Sequence, residues 1–263
     1  MKANLRMLNI LNMTRASTLK VGDTFLTKCC GICTVIEYVS YVEVYVKFED
    51  DSVVKTRVQS LERGHCRNLN SKLVFGAGIN DMFRAEKTKD FIKQKQLWHG
   101  ILERCFSEKF LEKSPTYKNC KVSESWLRLS NFIEDVKSIE NYEKSLNEGW
   151  QLDKDLLSNG SKLYSKDTCC FIPRSLNIIL SSYPKKLNGL PKGVKLSKGG
   201  KYFAIIQKEG KKIFLGSYDS VEEASRVYNI AKKEYLLNIA DSIKDVVPEN
   251  VYKALVNFNL EKL

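Results

Sequence analysis

GWQLDKDLLSNGSKLYSKDTCCFIPRSLNIIL, residues 149–180, is the stretch from which the fold is read. Gln151-Leu152-Asp153-Lys154 roughly alternates apolar and polar residues, as a strand with one buried face does. Ser158-Asn159-Gly160-Ser161 is turn chemistry, and Cys169 to Ile172 is a short apolar run suited to a buried strand. Pro173 stands where a helix's first residue can be proline, and Leu176, Ile179 and Leu180 then share one helical face. Strand, turn, strand and helix form the smallest unit able to hold one metal ion between a strand carboxylate and a helix. The same unit also occurs as plain core, so the pattern alone does not assign chemistry.

Upstream of this unit, a helix is expected from Thr88 to Cys105, with Phe91, Trp98, Leu102 and Cys105 on one face and Lys93, Lys95 and Glu103 elsewhere. His99 lies beside the apolar stripe, where a lone histidine is more often structural than catalytic. Pro115-Thr116-Tyr117 marks a turn, and Trp126 to Val136 reads as a second helical or mixed segment. Packed on the hairpin–helix unit, these make a middle domain of residues 86–182.

Further upstream the period changes to two. Short strands are expected at Thr24–Leu26, Ile32–Tyr38, Val42–Phe48 and Val53–Val58, with Val42, Val44 and Val46 alternating against Glu43, Tyr45 and Lys47. Residues 19–80 therefore read as a small β-barrel module, preceded by a flexible arm (1–18) and followed by a glycine-bearing linker from Gly64 to Asn80. Cys30, Cys33, His65 and Cys66 can be drawn as a zinc set. A single Cys-x-x-Cys without a second is a weak zinc signal, and cysteines packing the barrel are the favoured reading.

Ser181 to Leu190 is rich in breakers, and beyond it a compact unit of residues 190–240 begins. Strands are expected at Gly193–Lys195, Tyr202–Gln207 and Lys212–Gly216, with a turn at Glu209-Gly210. A helix follows from Ser220, which with Glu223 forms a capping box. Ala224, Val227, Tyr228, Ala231 and Tyr235 make its buried stripe, and Lys232 is placed on its outer face. A helical tail, 241–263, closes the chain. Three strands backed by one helix leave a sheet face bare, and that face would carry Lys195, Ser197, Lys201, Gln207, Lys212 and Phe214. Basic and amide side chains interleaved with an aromatic suit phosphates and base edges; a solvated lysine face is the alternative. The fold class is thus α+β: barrel, ββα domain with packing helices, and three-stranded sheet plus helix.

Composition narrows the partners. The 263 residues carry 43 Lys+Arg against 31 Asp+Glu, a formal charge of +12. That surplus favours a polyanion through counterion release, with nucleic acid first. No apolar run approaches ~18 residues and no signal-peptide core opens the chain, so a soluble, cytoplasmic protein without membrane contact is expected. The eight cysteines are then expected as thiols.

Two resemblances sharpen these expectations. Gly193-Val194, Gly200-Lys201-Tyr202-x-Ala204-x-Ile206, Phe214-Leu215-Gly216-Ser217-Tyr218 and Glu222-Glu223-Ala224-x-x-x-Tyr228-x-x-Ala231 resemble the apetala/ethylene-response-factor DNA-binding domain. That family lays a three-stranded sheet into the DNA major groove. By position Lys195, Ser197, Gln207, Lys212 and Phe214 match its DNA-reading strand sites, several of which are arginine or tryptophan in the plant proteins. Trp98-x-x-Ile101-Leu102-x-Arg104-Cys105-Phe106, Pro115-Thr116-Tyr117-Lys118, Val122-Ser123-Glu124-x-Trp126-Leu127, Leu152-Asp153-Lys154-Asp155 and Tyr164-Ser165-x-Asp167-Thr168-Cys169 resemble bacteriophage HNH homing-endonuclease-type proteins. A barrel like that around Ile36-Glu37-Tyr38 and Lys47-Phe48-Glu49-Asp50 often precedes them.

The second resemblance implies a phage-encoded endonuclease acting on double-stranded DNA in a bacterial host. Asp153, Lys154 and Asp155 are its catalytic candidates, with Mg²⁺ held by Asp153 and Asp155. HNH chemistry uses a strand histidine to deprotonate water and carboxylate or amide ligands for one divalent ion. Here Asp153 matches a ligand position, Lys154 stands where the histidine is expected, and Thr168 stands near the second ligand position. A lysine base needs its pKa lowered by several units. Two readings follow: an endonuclease with another base (Asp155, or His99 brought in), or a non-catalytic DNA-binding protein or regulator that keeps the nuclease fold as scaffold.

Overall fold

The computed structural model describes residues 19–82, 85–158, 161–180 and 189–258. The expected N-terminal arm, the Asn159-Gly160 turn and most of the expected Ser181–Leu190 linker lie outside the described residues. Among them the fold is mixed α and β.

The N-terminal region is a four-stranded antiparallel meander of β1 (Thr24–Leu26), β2 (Ile32–Ser40), β3 (Glu43–Phe48) and β4 (Val53–Thr56), in that spatial order. Val44, Val46 and Phe48 alternate inward as expected, while Val42 sits in the β2–β3 turn and is 66% exposed. The β3–β4 turn is held by Asp50, whose carboxylate accepts from the Ser52 backbone (3.2 Å) and hydroxyl (2.6 Å). The expected closed barrel is not formed: among the described residues β1 and β4 do not pair, and the sheet is open. The reason lies just after Arg57. Arg57 is still extended, and the chain then enters α1 (Val58–Glu62), so Val58, expected to end a strand, opens a helix. Val58 and Leu61 then cover the inner face with Cys33, Val35, Val54 and Cys66, where a closing strand would otherwise have packed.

The stretch expected as a linker is docked on the middle region. Ile79 exchanges backbone hydrogen bonds with Leu127 (2.8 Å) and Leu129 (3.0 Å). Gly78 lies so close to the next helix that a Cβ there would stand 2.3 Å from Leu102 Cδ1. Asp81 accepts from the Ser130 backbone (3.1 Å) and hydroxyl (2.6 Å), doing for α4 (Leu129–Ser138) what an N-cap side chain does.

The middle core gathers around α2 (Lys89–Phe106), which starts where Thr88 Oγ1 accepts from Phe91 N at 3.1 Å. Its inner face is Trp98, Ile101 and Leu102. The Trp98 indole donates to the Trp126 carbonyl (2.7 Å) and the Trp126 indole to Asp135 (2.9 Å), so both buried donors are satisfied. After α3 (Glu108–Lys113) and β5 (Lys121–Val122), the segment expected from Trp126 to Val136 resolves into a 3₁₀ turn at Ser125–Leu127 and α4, and α5 (Tyr142–Asn147) follows.

In the deciding stretch, β6 (Gln151–Asp153) pairs antiparallel with β8 (Cys170–Ile172), Asp153 opposite Cys170. Between them β7 (Leu163–Tyr164) departs to pair in parallel with β5. The connection is therefore a long excursion through a second sheet. Helix α6 (Arg174–Leu180) follows Pro173 and buries Leu176, Ile179 and Leu180, the expected face.

The last region is a sheet of order β11-β10-β9, from β9 (Val194–Leu196), β10 (Tyr202–Lys208) and β11 (Lys211–Tyr218), backed by α7 (Val221–Ser242). Ser220 caps α7 by accepting from Glu223 N at 3.1 Å. The helix does not stop at the expected boundary of 240. Ala224, Tyr228 and Ala231 pack on the sheet, whereas Leu236 and Ala240 belong to the middle core with Val251 and Leu255 of α8 (Glu249–Val256). Lys233 ties the hairpin of helices by donating to the Val256 (2.8 Å) and Phe258 (2.9 Å) carbonyls. Lys232, expected outside, is buried at 6% exposure on the line running from Tyr228 to Leu236. No helix among the described residues is long and apolar enough to cross a membrane.

Candidate nucleic-acid interface and hairpin–helix site

Opposed residues of antiparallel strands project to the same side of a sheet. The pairs Phe203↔Lys195, Phe203↔Ser217, Ile205↔Phe214 and Gln207↔Lys212 therefore share one face of β9–β11. Ala204 and Ile206 alternate to the other face, buried under α7. Among the described residues no helix covers the first face, and Lys195, Gln207, Lys212 and Phe214 are exposed on it. A bulge between Ala204 and Ile205, opposite Gly216 at φ +142°, brings Phe214 into line with Ile205. Phe214 is 58% exposed, and its ring meets Phe203 edge to face at 5.4 Å between centroids.

Four of the six expected DNA-contacting residues thus fall together. Ser197 is used by the β9–β10 turn: its backbone N–H donates to the Lys201 carbonyl (2.8 Å) and its hydroxyl accepts from Lys201 N (3.1 Å). Lys201 carries a surface ion pair to Asp219 at 3.2 Å. Phe203, Ile205 and Ser217 belong to the face and were not singled out from the sequence. Counting back by twos from Gln207 finds the first two, and the bulge hides the third.

In the hairpin–helix unit the three acid–base candidates are adjacent but already committed to one another. Asp153 is buried, and its Oδ1 accepts from the backbone N–H of Asp155 (3.0 Å) and Leu156 (2.8 Å), turning the chain sharply after β6. Burial pushes the Asp153 carboxyl above the usual range, against the pull of those donors. Lys154 is also buried, its ammonium bonded to the exposed Asp155 carboxylate and lying 5.5 Å from the Tyr164 ring centroid. Burial pulls the Lys154 pKa down, but the Asp155 hydrogen bond and charge outweigh it, and the net direction is up. A proton-accepting lysine requires the opposite shift.

The other candidates are occupied elsewhere. Thr168 donates to the Leu163 carbonyl (2.5 Å) and accepts from Ser165 N (3.1 Å), folding the loop before β8. His99 lies on α2 with its ring 4.8 Å from Phe75. Cys169 is pushed up to about 12 by burial, an inert thiol.

Tested against a divalent ion, these donors do not fit. One Asp153 oxygen is taken by two N–H groups, the Asp155 carboxylate is held by an ammonium, and among the described residues no three His, Cys, Asp or Glu side chains gather to hold a metal. Nor do the residues drawn as a zinc set gather as ligands among the described residues. Cys33 and Cys66 lie in the core of the N-terminal sheet, where the Cys66 hydrogen bond and burial push the Cys33 thiol far up. His65 accepts from Lys28 Nζ at 2.7 Å, and Cys30 lies 3.3 Å from the neighbouring Cys29 sulfur.

No family model, no curated protein and no solved structure matches this chain.

Proposed function

We propose that the protein binds DNA through the open face of β9–β11, and that its HNH-like hairpin–helix unit serves as scaffold rather than as a nuclease centre. One observation carries the reading: strand register collects Lys195, Gln207, Lys212 and Phe214 on a single uncovered face. The lysines supply phosphate contacts and counterion release, while Gln207 has the donor and acceptor pair that reads base edges. The formal charge of +12 supports the same class of partner. The scaffold half rests on Lys154, whose ammonium takes up the Asp155 carboxylate, and on Asp153, whose Oδ1 is taken by two backbone N–H groups.

The test is titration of labelled DNA, single- and double-stranded, with the wild type and with the Lys195→Ala/Gln207→Ala/Lys212→Ala variant. Loss of affinity in the triple variant, with binding retained after Lys93→Ala and Lys95→Ala on α2, is the expected result. Equal losses would move the interface off the sheet. Incubation with long DNA in Mg²⁺ or Mn²⁺ tests the scaffold reading. Metal-dependent cuts that vanish in Asp153→Asn would replace it with a nuclease.

A further inference from the structure

We infer that the open sheet face takes the unpaired bases of a single DNA strand, stacking them on Phe214 and Phe203. This rests on the reading that DNA binds at this face, and specifies which form of DNA the face is built for.

The middle of the face is apolar and aromatic. Phe203, Ile205 and Phe214 lie side by side across β10 and β11, with Lys195 and Ser217 opposite Phe203 and the Gln207–Lys212 pair at the other end. From Phe203 to Gln207 the strand advances about 13 Å at ~3.3 Å per residue, so cations flank both ends of the aromatic centre. A duplex offers this centre only thymine methyl groups: its base faces are stacked on one another, and edges and phosphates are what its grooves present. The polar side chains of this face, Lys195, Ser217, Gln207 and Lys212, lie only at its margins.

An unpaired strand presents what the duplex hides. Each base has a π-face that stacks on an aromatic ring whatever its sequence, and the strand's phosphates reach cations alongside. Phe214 is the more exposed ring, and Phe203 braces it edge-on at 85° between planes. Covering an exposed ring with a ligand removes apolar surface from water and is favourable. Ile205 widens the apolar platform beside it. Lys195 and Lys212 have no ion pair among the described residues, so both cations are open to phosphate; Lys201 is paired with Asp219. The face is therefore a stacking platform between two phosphate contacts.

The experiment compares one short labelled DNA strand, its duplex and the RNA strand of the same sequence, by fluorescence anisotropy at fixed salt, for the wild type, Phe214→Ala and Phe203→Leu. Phe214 contributes no side chain to the core under α7, so its loss leaves the fold in place; Phe203→Leu keeps the apolar platform while removing the ring. The expected result is tighter binding of the DNA strand than of the duplex. Phe214→Ala should cost roughly tenfold on the single strand and leave the duplex unchanged. A DNA strand bound no more tightly than the duplex, or losses equal for both, overturns the inference while leaving DNA binding standing. Tighter binding of the RNA strand overturns the assignment to DNA. Binding of none of the three removes both this inference and the function it rests on.

Discussion

The backbone of Gly193 lies against the ring of Tyr228, so closely that a Cβ at 193 would stand 2.0 Å from Tyr228 Cδ2. Gly193 is also held at φ +79°, a conformation that side chains with a Cβ adopt at a cost. Its carbonyl accepts from Ile205 N at 2.8 Å, locking β9 onto β10. Gly193→Ala should therefore displace β9 from α7 and destabilise the sheet by about 1–3 kcal/mol. Thermal unfolding measures the loss; a midpoint unchanged from wild type would mean that the close approach is relieved by small shifts.

Lys232 is buried and has no ion pair among the described residues, and burial together with the charge of Lys192 lowers its pKa to about 8. The folded-state value lies below the unfolded one of 10.5, so the stability linked to this group is full above 10.5 and is lost as pH falls through about 8. At neutral pH the charged ammonium costs the fold up to about 3 kcal/mol. Lys232→Met should raise the unfolding midpoint at pH 7, with a gain that shrinks as pH climbs from 8 to 10.5. A gain independent of pH would show that only packing had changed.

Asp153 is an acid whose folded-state pKa is raised by burial, so its linked stability is present below the unfolded pKa and lost as pH rises through the folded one. Asp153→Asn keeps an oxygen to accept from Asp155 and Leu156 while removing the charge. The variant should be at least as stable as wild type at neutral pH, and the difference should close on acidification. Denaturant titration at two pH values checks both parts.

Asp81→Ala removes the acceptor of the Ser130 N–H and hydroxyl and the partner of Arg128 at 3.4 Å. Loss of an N-cap acceptor costs about 1–2 kcal/mol. Hydrogen exchange should show the α4 start opening first.

Salt dependence separates the contributions of the face. Each phosphate contact on a single strand adds about 0.7 to the slope of log affinity against log salt. Removing Lys195 and Lys212 together should lower that slope by roughly 1.4, whereas Phe214→Ala should lower affinity and leave the slope alone.

Local chemistry was legible in the sequence where one residue decides one event. Ser220 caps α7, Thr88 opens α2 and Pro173 precedes α6, each close to its expected place. What escaped depends on partners far along the chain. The parallel pairing of Lys121-Val122 with Leu163-Tyr164 involves strands too short to carry a period. Val58 continues an apolar alternation and yet begins a helix, because the inner face of the meander needed a cover. Lys232 was assigned to water by its charge, although the spacing Tyr228, Lys232, Leu236, Ala240 puts it on the buried line. Asp153, Lys154 and Asp155 were singled out by resemblance; that Asp155 pairs with Lys154 while Asp153 holds the backbone of the turn after β6 is encoded by no motif.

Helix α7 belongs to two cores, the sheet's through Ala224, Tyr228 and Ala231 and the middle domain's through Leu236 and Ala240. The last region is therefore not a cassette that recombination could lift out and fuse elsewhere. Cut after residue 240, the donor chain would lose Leu236 and Ala240 from beside Val251 and Leu255, and the excised piece would carry those two side chains bare, a little over one helical turn apart. Inheritance of this open sheet face is therefore tied to inheritance of the middle core beneath it.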